Sequence, residues 1–105
     1  MIMATAVHDD NFQLEVLDFD GTVLVDFYAD WCGPCQAMLP LVTELSDEVD
    51  EKQKVVKVNV DNASAVAGKY GIMSIPAFKA IRGGKVVAEA VGVQSKEQLL
   101  AMLAA

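Results

Sequence analysis

Residues 22–35 read TVLVDFYADWCGPC, a largely apolar run that ends in two cysteines. The segment from Thr22 to Ala29 is almost entirely β-branched, aromatic or apolar, which is typical of a strand covered on both faces. Pro34 suits the first turn of a helix, so the cysteines fall where the strand ends and a helix begins. The sequence therefore predicts a buried strand that passes directly into a helix, with Cys32 and Cys35 at the junction.

The helix after this strand is predicted to run from about Pro34 to Val49. Its apolar residues recur at steps of three and four, which gives one buried stripe. The stripe consists of Cys35, Met38, Val42, Leu45 and Val49. Pro40 lies inside the pattern and lacks the N–H that would bond to the Gln36 carbonyl. We expect a bend at Pro40 and not a break.

Two further helices are expected near the ends of the chain. Asp9 or Asp10 is predicted to cap a short first helix with the apolar residues Phe12, Val16 and Leu17. Ser95 and Gln98 have the spacing of a capping box and begin the last helix. The residues expected to face inward from that last helix are Leu99, Leu100, Met102 and Leu103.

The remaining segments predict strands and one more helix. They are a strand over 55–61, a short helix over 63–70 stopped by Gly71, a strand from Ile75-Pro76 to Ile81, a Gly83-Gly84 hairpin turn and a returning strand over 85–91. Strands connected through helices run parallel, whereas the hairpin adds antiparallel pairing. We therefore predict the α/β class: one domain over residues 1–105, with a central mixed sheet and helices on both faces.

The charge balance restricts the possible partners. The 105 residues include 15 Asp and Glu against 8 Lys and Arg, for a net charge of −7. Such a surface repels phosphate backbones and anionic lipids, so neither nucleic acid nor a membrane is an expected partner. No run of 18 apolar residues occurs, and Met1 to Asp10 has no basic start followed by an apolar segment. We expect a cytoplasmic protein.

Cys32 and Cys35 are the residues that point most directly to a chemistry. Free amides and the helix dipole at a helix N-terminus lower the pKa of a thiol, so Cys32 is predicted to supply an attacking thiolate. Two intervening residues in a first helical turn allow the sulfurs to join reversibly. The alternative is half of a metal site, but structural zinc needs about four ligands and only His8 is available besides the cysteines. We expect no metal.

Asp26 is an acid inside an apolar strand. Its apolar neighbours in the chain are Val23, Leu24, Val25 and Phe27. Desolvation among them would raise its pKa, as suits a general base near neutrality. Asp26 could instead be a satisfied polar residue of the core, although its position before the cysteine loop favours a functional role. Lys57 interrupts another apolar segment and would need an acidic neighbour if buried, but alternation also allows it to face solvent.

Three motifs together resemble the thioredoxin family, and the resemblance covers essentially the whole chain. They are Val25–Ala29, Trp31–Cys35 and Ser74–Pro76, and the spacing from Cys32 to Asp26, Lys57, Pro76, Gly84 and Gly92 also fits the family. The resemblance implies that Asp26 accepts the Cys35 proton, with Lys57 as its partner. It also implies a cis peptide bond before Pro76, which would face the cysteines.

The same resemblance implies a substrate-binding surface beside the sulfurs. Its expected residues are Trp31, Gly33, Pro34, Ile75, Pro76 and Gly92. The backbone of Ile75 would be free to hydrogen-bond an extended substrate strand. Several positions depart from the common family pattern, namely Tyr28, Gln36, Lys79 and Ala80. Lys79 is the hardest of these to place, because its strand is usually more apolar.

The function implied by the family is that of a protein disulfide reductase, a thiol-disulfide oxidoreductase with Cys32 as nucleophile and Cys35 as resolving thiol. The implied electron donor is an NADPH-dependent flavoprotein, thioredoxin reductase. The implied clients are proteins such as ribonucleotide reductase, peroxiredoxin and methionine sulfoxide reductase. We expect a monomer without a bound cofactor. A purely interacting subunit needs no thiols, and an oxidase or isomerase usually has a histidine between the cysteines, so both alternatives are less favoured.

Overall fold

The computed structural model describes residues 4–105. Its strands are β1 (Thr5–Val7), β2 (Thr22–Tyr28), β3 (Gln53–Asn59), β4 (Ala77–Arg82) and β5 (Lys85–Val91). Its α-helices are α1 (Gly33–Glu48), α2 (Ser64–Lys69) and α3 (Lys96–Leu103), and a π-helix spans Gln13–Leu17. No helix among the described residues has both the length and the apolar content to span a bilayer.

The five strands form one mixed sheet in the order β1-β3-β2-β4-β5. Strands β1 and β2 both run parallel to β3, while β4 pairs antiparallel with β2 and with β5. The register places Asp26 of β2 opposite Lys57 on one side and opposite Phe78 on the other. This arrangement confirms the predicted α/β class and puts β2, which leads into the cysteines, at the centre of the sheet.

Two apolar clusters cover the two faces of the sheet. Alternation along β2 sends Val23, Val25 and Phe27 into one cluster, which also contains residues of the π-helix and α2. Leu24 points the other way, into the cluster formed with the buried stripe of α1 and with α3. Helices therefore lie on both faces, as predicted, and the centre of β2 is sealed from solvent on each side.

Helix α1 starts one residue before the predicted position and continues through Pro40 without a break. The predicted stripe is confirmed at Cys35, Met38, Val42 and Leu45, which are buried, while Val49 is partly buried just past the helix end. The capping box is also confirmed, since Ser95 and Gln98 bond reciprocally to each other's backbone N–H. Leu100 was expected to face inward but is 42% exposed, because α3 buries only one stripe.

The prediction at the start of the chain is wrong in two respects. Strand β1 was not expected, because three residues are too short to show a strand period, and β1 is held by its pairing with β3. Asp9 and Asp10 do not cap the first helix, whose N-cap is Phe12 and makes no side-chain cap bond. The expected short helix itself is present as a π-helix.

Asp9 caps a different helix. The N-cap of α2 is Ala63, which has no side-chain acceptor for the first free amides. The Asp9 carboxylate fills this place from a distant segment, accepting the N–H groups of Ala65 at 3.3 Å and Val66 at 2.9 Å. A negative charge at that end of the helix is also favourable for the helix dipole. Asp9 therefore ties the segment after β1 to α2.

Replacing Asp9 with alanine should destabilise the fold by about 1 kcal/mol, because α2 loses its cap. The measurement is the free energy of unfolding in urea by circular dichroism. Asp10→Ala is the matched control. The Asp10 side chain is exposed, and its replacement removes the same negative charge from the neighbouring position. Equal losses in the two variants would show that the charge alone, and not the cap geometry, is responsible.

Candidate active site

The cysteines lie at the end of β2 where α1 begins, as predicted. They are joined in a disulfide with their Cα atoms 5.2 Å apart. Cys32 is the N-cap of α1, and its Sγ accepts the backbone N–H of Cys35 at 3.2 Å. Pro34 occupies the first turn, where a missing N–H costs nothing. The Cys32 sulfur thus accepts a hydrogen bond from one of the free amides of a helix N-terminus. This environment stabilises a thiolate.

The two sulfurs differ in access. Cys35 has no exposed surface, whereas Cys32 retains 5%. Both pack with Ala29 in a small cluster that Tyr28, Val60 and Ile75 border. Cys32 is less exposed than a sequence position at a helix start suggests, because the loop containing Ile75 lies close beside it. Of the two cysteines, only Cys32 keeps any exposed surface.

The loop from Ser74 to Pro76 faces the disulfide. The Ile75-Pro76 peptide bond is cis, as the family resemblance implied. The Ile75 carbonyl oxygen lies 3.8 Å from Cys32 Sγ. Gly92 joins the same site, because its N–H donates to the Pro76 carbonyl at 2.8 Å. The fold therefore brings Cys32, Ile75, Pro76 and Gly92 together from three separate segments.

Trp31 directly precedes Cys32 and has 72% of its surface exposed. Its indole Nε1 donates to Asp61 Oδ2 at 2.9 Å, which fixes the ring position. Asp61 was not among the site residues expected from the sequence. A signal was present, however, because Asp61 follows the carboxyl end of β3, and β3 is the parallel neighbour of β2. Residues that follow the carboxyl ends of two neighbouring parallel strands lie at the same edge of the sheet.

Exposed apolar residues stand in the chain close to the residues of the site. We define this apolar rim by Trp31, Met73, Val91 and Val93, all of which are largely exposed. Val91 and Val93 flank Gly92. They were not predicted as site residues, although the sequence shows two valines around a glycine that was itself expected in the site. Gly33 lies on the same side, and a Cβ added there would meet no atom within 4 Å. The fold itself therefore does not require glycine at position 33.

Asp26 is fully buried, and neither of its carboxylate oxygens has a hydrogen-bond partner within residues 4–105. Burial raises the pKa of Asp26 to about 7, and the positive charge of Lys57 offsets part of that rise. The structure corrects the neighbours expected to desolvate the acid, because Val23, Val25 and Phe27 point to the opposite face of the sheet. Alternation places Leu24 and the opposing Phe78 on its face of the sheet, where the buried stripe of α1 also packs.

Lys57 lies beside Asp26 in the register of β2 and β3 and is partly buried. Residues directly opposite each other on neighbouring strands share a face, so the two charges lie on the same side of the sheet. The Lys57 Nζ is also 5.8 Å from the centroid of the Tyr28 ring, a cation-π distance. Lys57 therefore acts on Asp26 as a nearby charge, while its head reaches toward the surface over Tyr28.

The structure shows the contacts made by the other residues that depart from the family pattern. Gln36 Nε2 reaches back to the carbonyls of Ala29 at 3.5 Å and Asp30 at 3.4 Å, across the loop before the cysteines. Ala80 packs in the cluster under α1 and α3. Lys79 lies opposite Glu89 on β5, and their charged groups are 3.6 Å apart. An ion pair across two strands thus accommodates the lysine that the sequence left unplaced.

Comparison with known proteins gives a consistent result. The family model described as Thioredoxin matches residues 3–105. Thioredoxin of Chlorobaculum thiosulfatiphilum is 48% identical over 91 residues, covering 87% of this chain and 84% of the relative. Thioredoxin 1 of Nostoc sp. is 48% identical over 99 residues, covering 94% and 92%. Thioredoxin C-2 of Corynebacterium nephridii is 46% identical over 95 residues, covering 90% and 88%.

These matches agree with the geometry of the site. A dithiol that closes to a disulfide at a helix N-terminus exchanges with the disulfides and thiols of other proteins. The activity is therefore that of a thiol-disulfide oxidoreductase, with redox partners among thiol-containing client proteins and a reductase. Since both the family model and the relatives cover most of the sequence, the chain belongs to the thioredoxin family and uses Cys32 and Cys35 as its redox pair.

Proposed function

We propose that the protein works as a disulfide reductase, with Cys32 as the nucleophile and Cys35 as the resolving thiol. The observation that carries the proposal is the hydrogen bond from the Cys35 N–H to Cys32 Sγ at the start of α1, with Cys35 fully buried beneath. Gly33 and Pro34 add no charged or polar side chain that would further stabilise the thiolate. A less stabilised dithiol is a better electron donor, which favours reduction of clients.

The first step is attack of the Cys32 thiolate on a sulfur of the client disulfide. The Cys32 sulfur forms a bond to that sulfur as the client S–S bond breaks. The electron pair of the broken bond leaves with the second client sulfur as a thiolate, which takes a proton from solvent. The product is a mixed disulfide, and one free thiol has appeared on the client.

In the second step Cys35 gives its proton to Asp26 and attacks the Cys32 sulfur. The Cys32–Cys35 disulfide forms, the mixed disulfide breaks, and the second client thiolate is released. The client has gained two electrons and the protein has lost them. A base with a pKa of about 7 matches this task, because it is available as a carboxylate and yet binds the proton strongly. Lys57 keeps part of the Asp26 population ionised.

The client segment is proposed to bind as an extended strand along Ile75 and Pro76. The free backbone groups of Ile75 would hydrogen-bond the client main chain, as in strand addition. Trp31, Pro34 and Gly92 would supply apolar contact. Gly33 has open space where a Cβ would project, so a client backbone can approach closely there. Main-chain recognition of this kind accepts many sequences.

We further propose the redox partners and the setting. The electron donor would be an NADPH-dependent flavoprotein, thioredoxin reductase, which returns two electrons to the Cys32–Cys35 disulfide. Clients would be enzymes that form disulfides during turnover, such as ribonucleotide reductase, peroxiredoxin or methionine sulfoxide reductase. The cytoplasm is the compartment in which thiols are kept reduced, and the chain would act there as a single domain and a monomer.

The reduction potential tests the direction of the proposed reaction. The protein should equilibrate with glutathione at a potential near the thioredoxin range of about −270 mV, well below the DsbA range of about −120 mV. The measurement is the fraction of Cys32–Cys35 disulfide across a series of glutathione ratios. A potential close to that of the strong oxidants would contradict the reductase function while leaving dithiol-disulfide exchange intact.

The two cysteines should behave differently toward thiol reagents. In the reduced protein at pH 7, iodoacetamide should modify Cys32 at least about tenfold faster than Cys35, because thiolate fraction and access both favour it. Peptide mapping by mass spectrometry gives the two rates. Cys35→Ser should accumulate a mixed disulfide with a client, whereas Cys32→Ser should reduce no insulin. Faster labelling of Cys35 would reverse the assigned roles.

Asp26→Asn should stabilise the oxidised protein in a pH-dependent way. The folded pKa lies near 7 and the ordinary value is 3.8, so the folded state retains a proton that the unfolded state has lost. The resulting loss of stability is absent below pH 4, grows as the pH rises to 7, and then stays constant at about 4 kcal/mol. Asparagine removes this loss because it cannot ionise.

The stability gap between Asp26→Asn and the parent protein should therefore widen by about 2 to 3 kcal/mol from pH 5 to pH 8.5. Unfolding in guanidinium chloride at the two pH values measures it. Disulfide exchange by the variant should be slower at neutral pH, because the proton acceptor is gone. Asp30→Asn controls for the loss of one negative charge from the same region. A gap that does not change with pH would mean that Asp26 is not a poised base.

A further inference from the structure

A cleft opens beside the loop that faces the disulfide. Its volume is about 200 Å³, far more than one water molecule needs, and its charged lining residues are Lys79 of β4 and Glu89 of β5. The rest of the lining is small or apolar and includes Met73, Ala77 and Val91. Ala77 and Lys79 share one face of β4, so the lysine projects on the same side of the sheet as the residue next to Pro76.

The Lys79 ammonium is poorly satisfied by the protein. Its side chain is only 13% exposed, and its distance of 3.6 Å from Glu89 is too long for a hydrogen bond. The ammonium makes no hydrogen bond to any residue between Ala4 and Ala105. A largely desolvated cation with three donors to fill gains from any acceptor that enters the cleft. Lys79 also departs from the more apolar pattern that the family resemblance implies for its strand.

The cleft begins where the proposed client-binding edge ends. Two of its lining residues, Ser74 and Val91, directly precede Ile75 and Gly92. A client strand paired with Ile75 advances by about 3.3 Å per residue. We take the positions two to four residues from the reacting client cysteine as the candidates for an occupant of the cleft. Its occupant is accordingly part of the same client segment that presents the disulfide.

We propose that this cleft is a specificity subsite in which Lys79 binds a carboxylate side chain of the client. The inference rests on the proposed reductase function and on Ile75 as the client-binding edge. Glu89 does not block it, because its side chain is 68% exposed and can turn into solvent when a client carboxylate replaces it. The bond formed is a charge-assisted hydrogen bond in a partly desolvated place, which is stronger than one between exposed groups.

A basic client side chain is the opposite possibility, because it could pair with Glu89. That contact would be worth little, since Glu89 is well solvated and exposed ion pairs contribute weakly. It would also place a second cation beside Lys79. Charge and burial together favour an acidic occupant over a basic one.

The test uses synthetic peptides that contain a disulfide and carry Glu, Gln or Lys at one position, two to four residues from the reacting cysteine. The protein should reduce the Glu peptide with about a fivefold higher kcat/KM than the Gln peptide at the best of these positions. Lys79→Met should abolish this preference, so that the Glu and Gln peptides are reduced at the same rate. Glu89→Gln should keep or increase the preference, because it removes the competing carboxylate.

Lys85→Met is the matched control, because it removes the same charge from the exposed start of β5 and should keep the preference for Glu. A preference that survives Lys79→Met would overturn the proposal, and so would a higher rate for the Lys peptide. Reduction of the Gln peptide by the parent protein tests the reductase function separately. If that peptide is not reduced, the reductase function fails and the subsite falls with it, whereas equal rates for all three peptides refute the subsite alone.

Discussion

The hydrogen bond from the Cys35 N–H to Cys32 Sγ depends on where β2 ends. The strand is central in the sheet, buried on both faces, and followed within four residues by a helix whose first amides have no partner inside the helix. Cys32 supplies the acceptor that a serine or aspartate provides at other helix starts. Capping and activation of the thiol are therefore one interaction. A shift of the helix start by a residue would remove both.

The same junction places Asp26 where its charge is costly. A carboxylate with no hydrogen-bond partner among the described residues opposes folding at neutral pH. The fold can carry this cost because apolar clusters pack on both faces of β2. A stable scaffold that holds one unfavourable group near its functional site is a common compromise between stability and activity. Lys57 relieves the cost only in part, because its charge offsets only part of the rise that burial gives the pKa of Asp26.

Much of this molecule could be predicted from local sequence signals. The strand at Thr22–Tyr28, the helix after it and the hairpin at Gly83-Gly84 follow from periodicity and turn residues, which act over a few positions. The capping box was predictable for the same reason. What was missed depends on contacts between distant segments. Asp9 caps α2 across 56 residues of chain, and β1 exists because β3 offers a free edge.

The active site shows the same division. The spacing of Cys32 and Cys35 carries their chemistry, and an acid in an apolar strand indicates a perturbed pKa, so both were visible in the sequence. Asp61 and Lys79 were not assigned, because their roles come from partners 30 and 10 residues away, Trp31 and Glu89. Leu100 was predicted to face inward but is exposed. The rotation of α3 about its own axis decides this, and the packing of Leu99, Met102 and Leu103 sets that rotation.

Net charge and local charge act at different ranges in client selection. The net charge of −7 repels acidic proteins at a distance, but salt screens that repulsion beyond about 8 to 10 Å. The proposed pairing along the Ile75 backbone would be indifferent to client sequence, and the apolar rim would select only for hydrophobic area. Discrimination among clients therefore requires a buried polar group at short range. Lys79 meets that requirement, because a desolvated ammonium distinguishes a carboxylate from an amide when surface charges cannot.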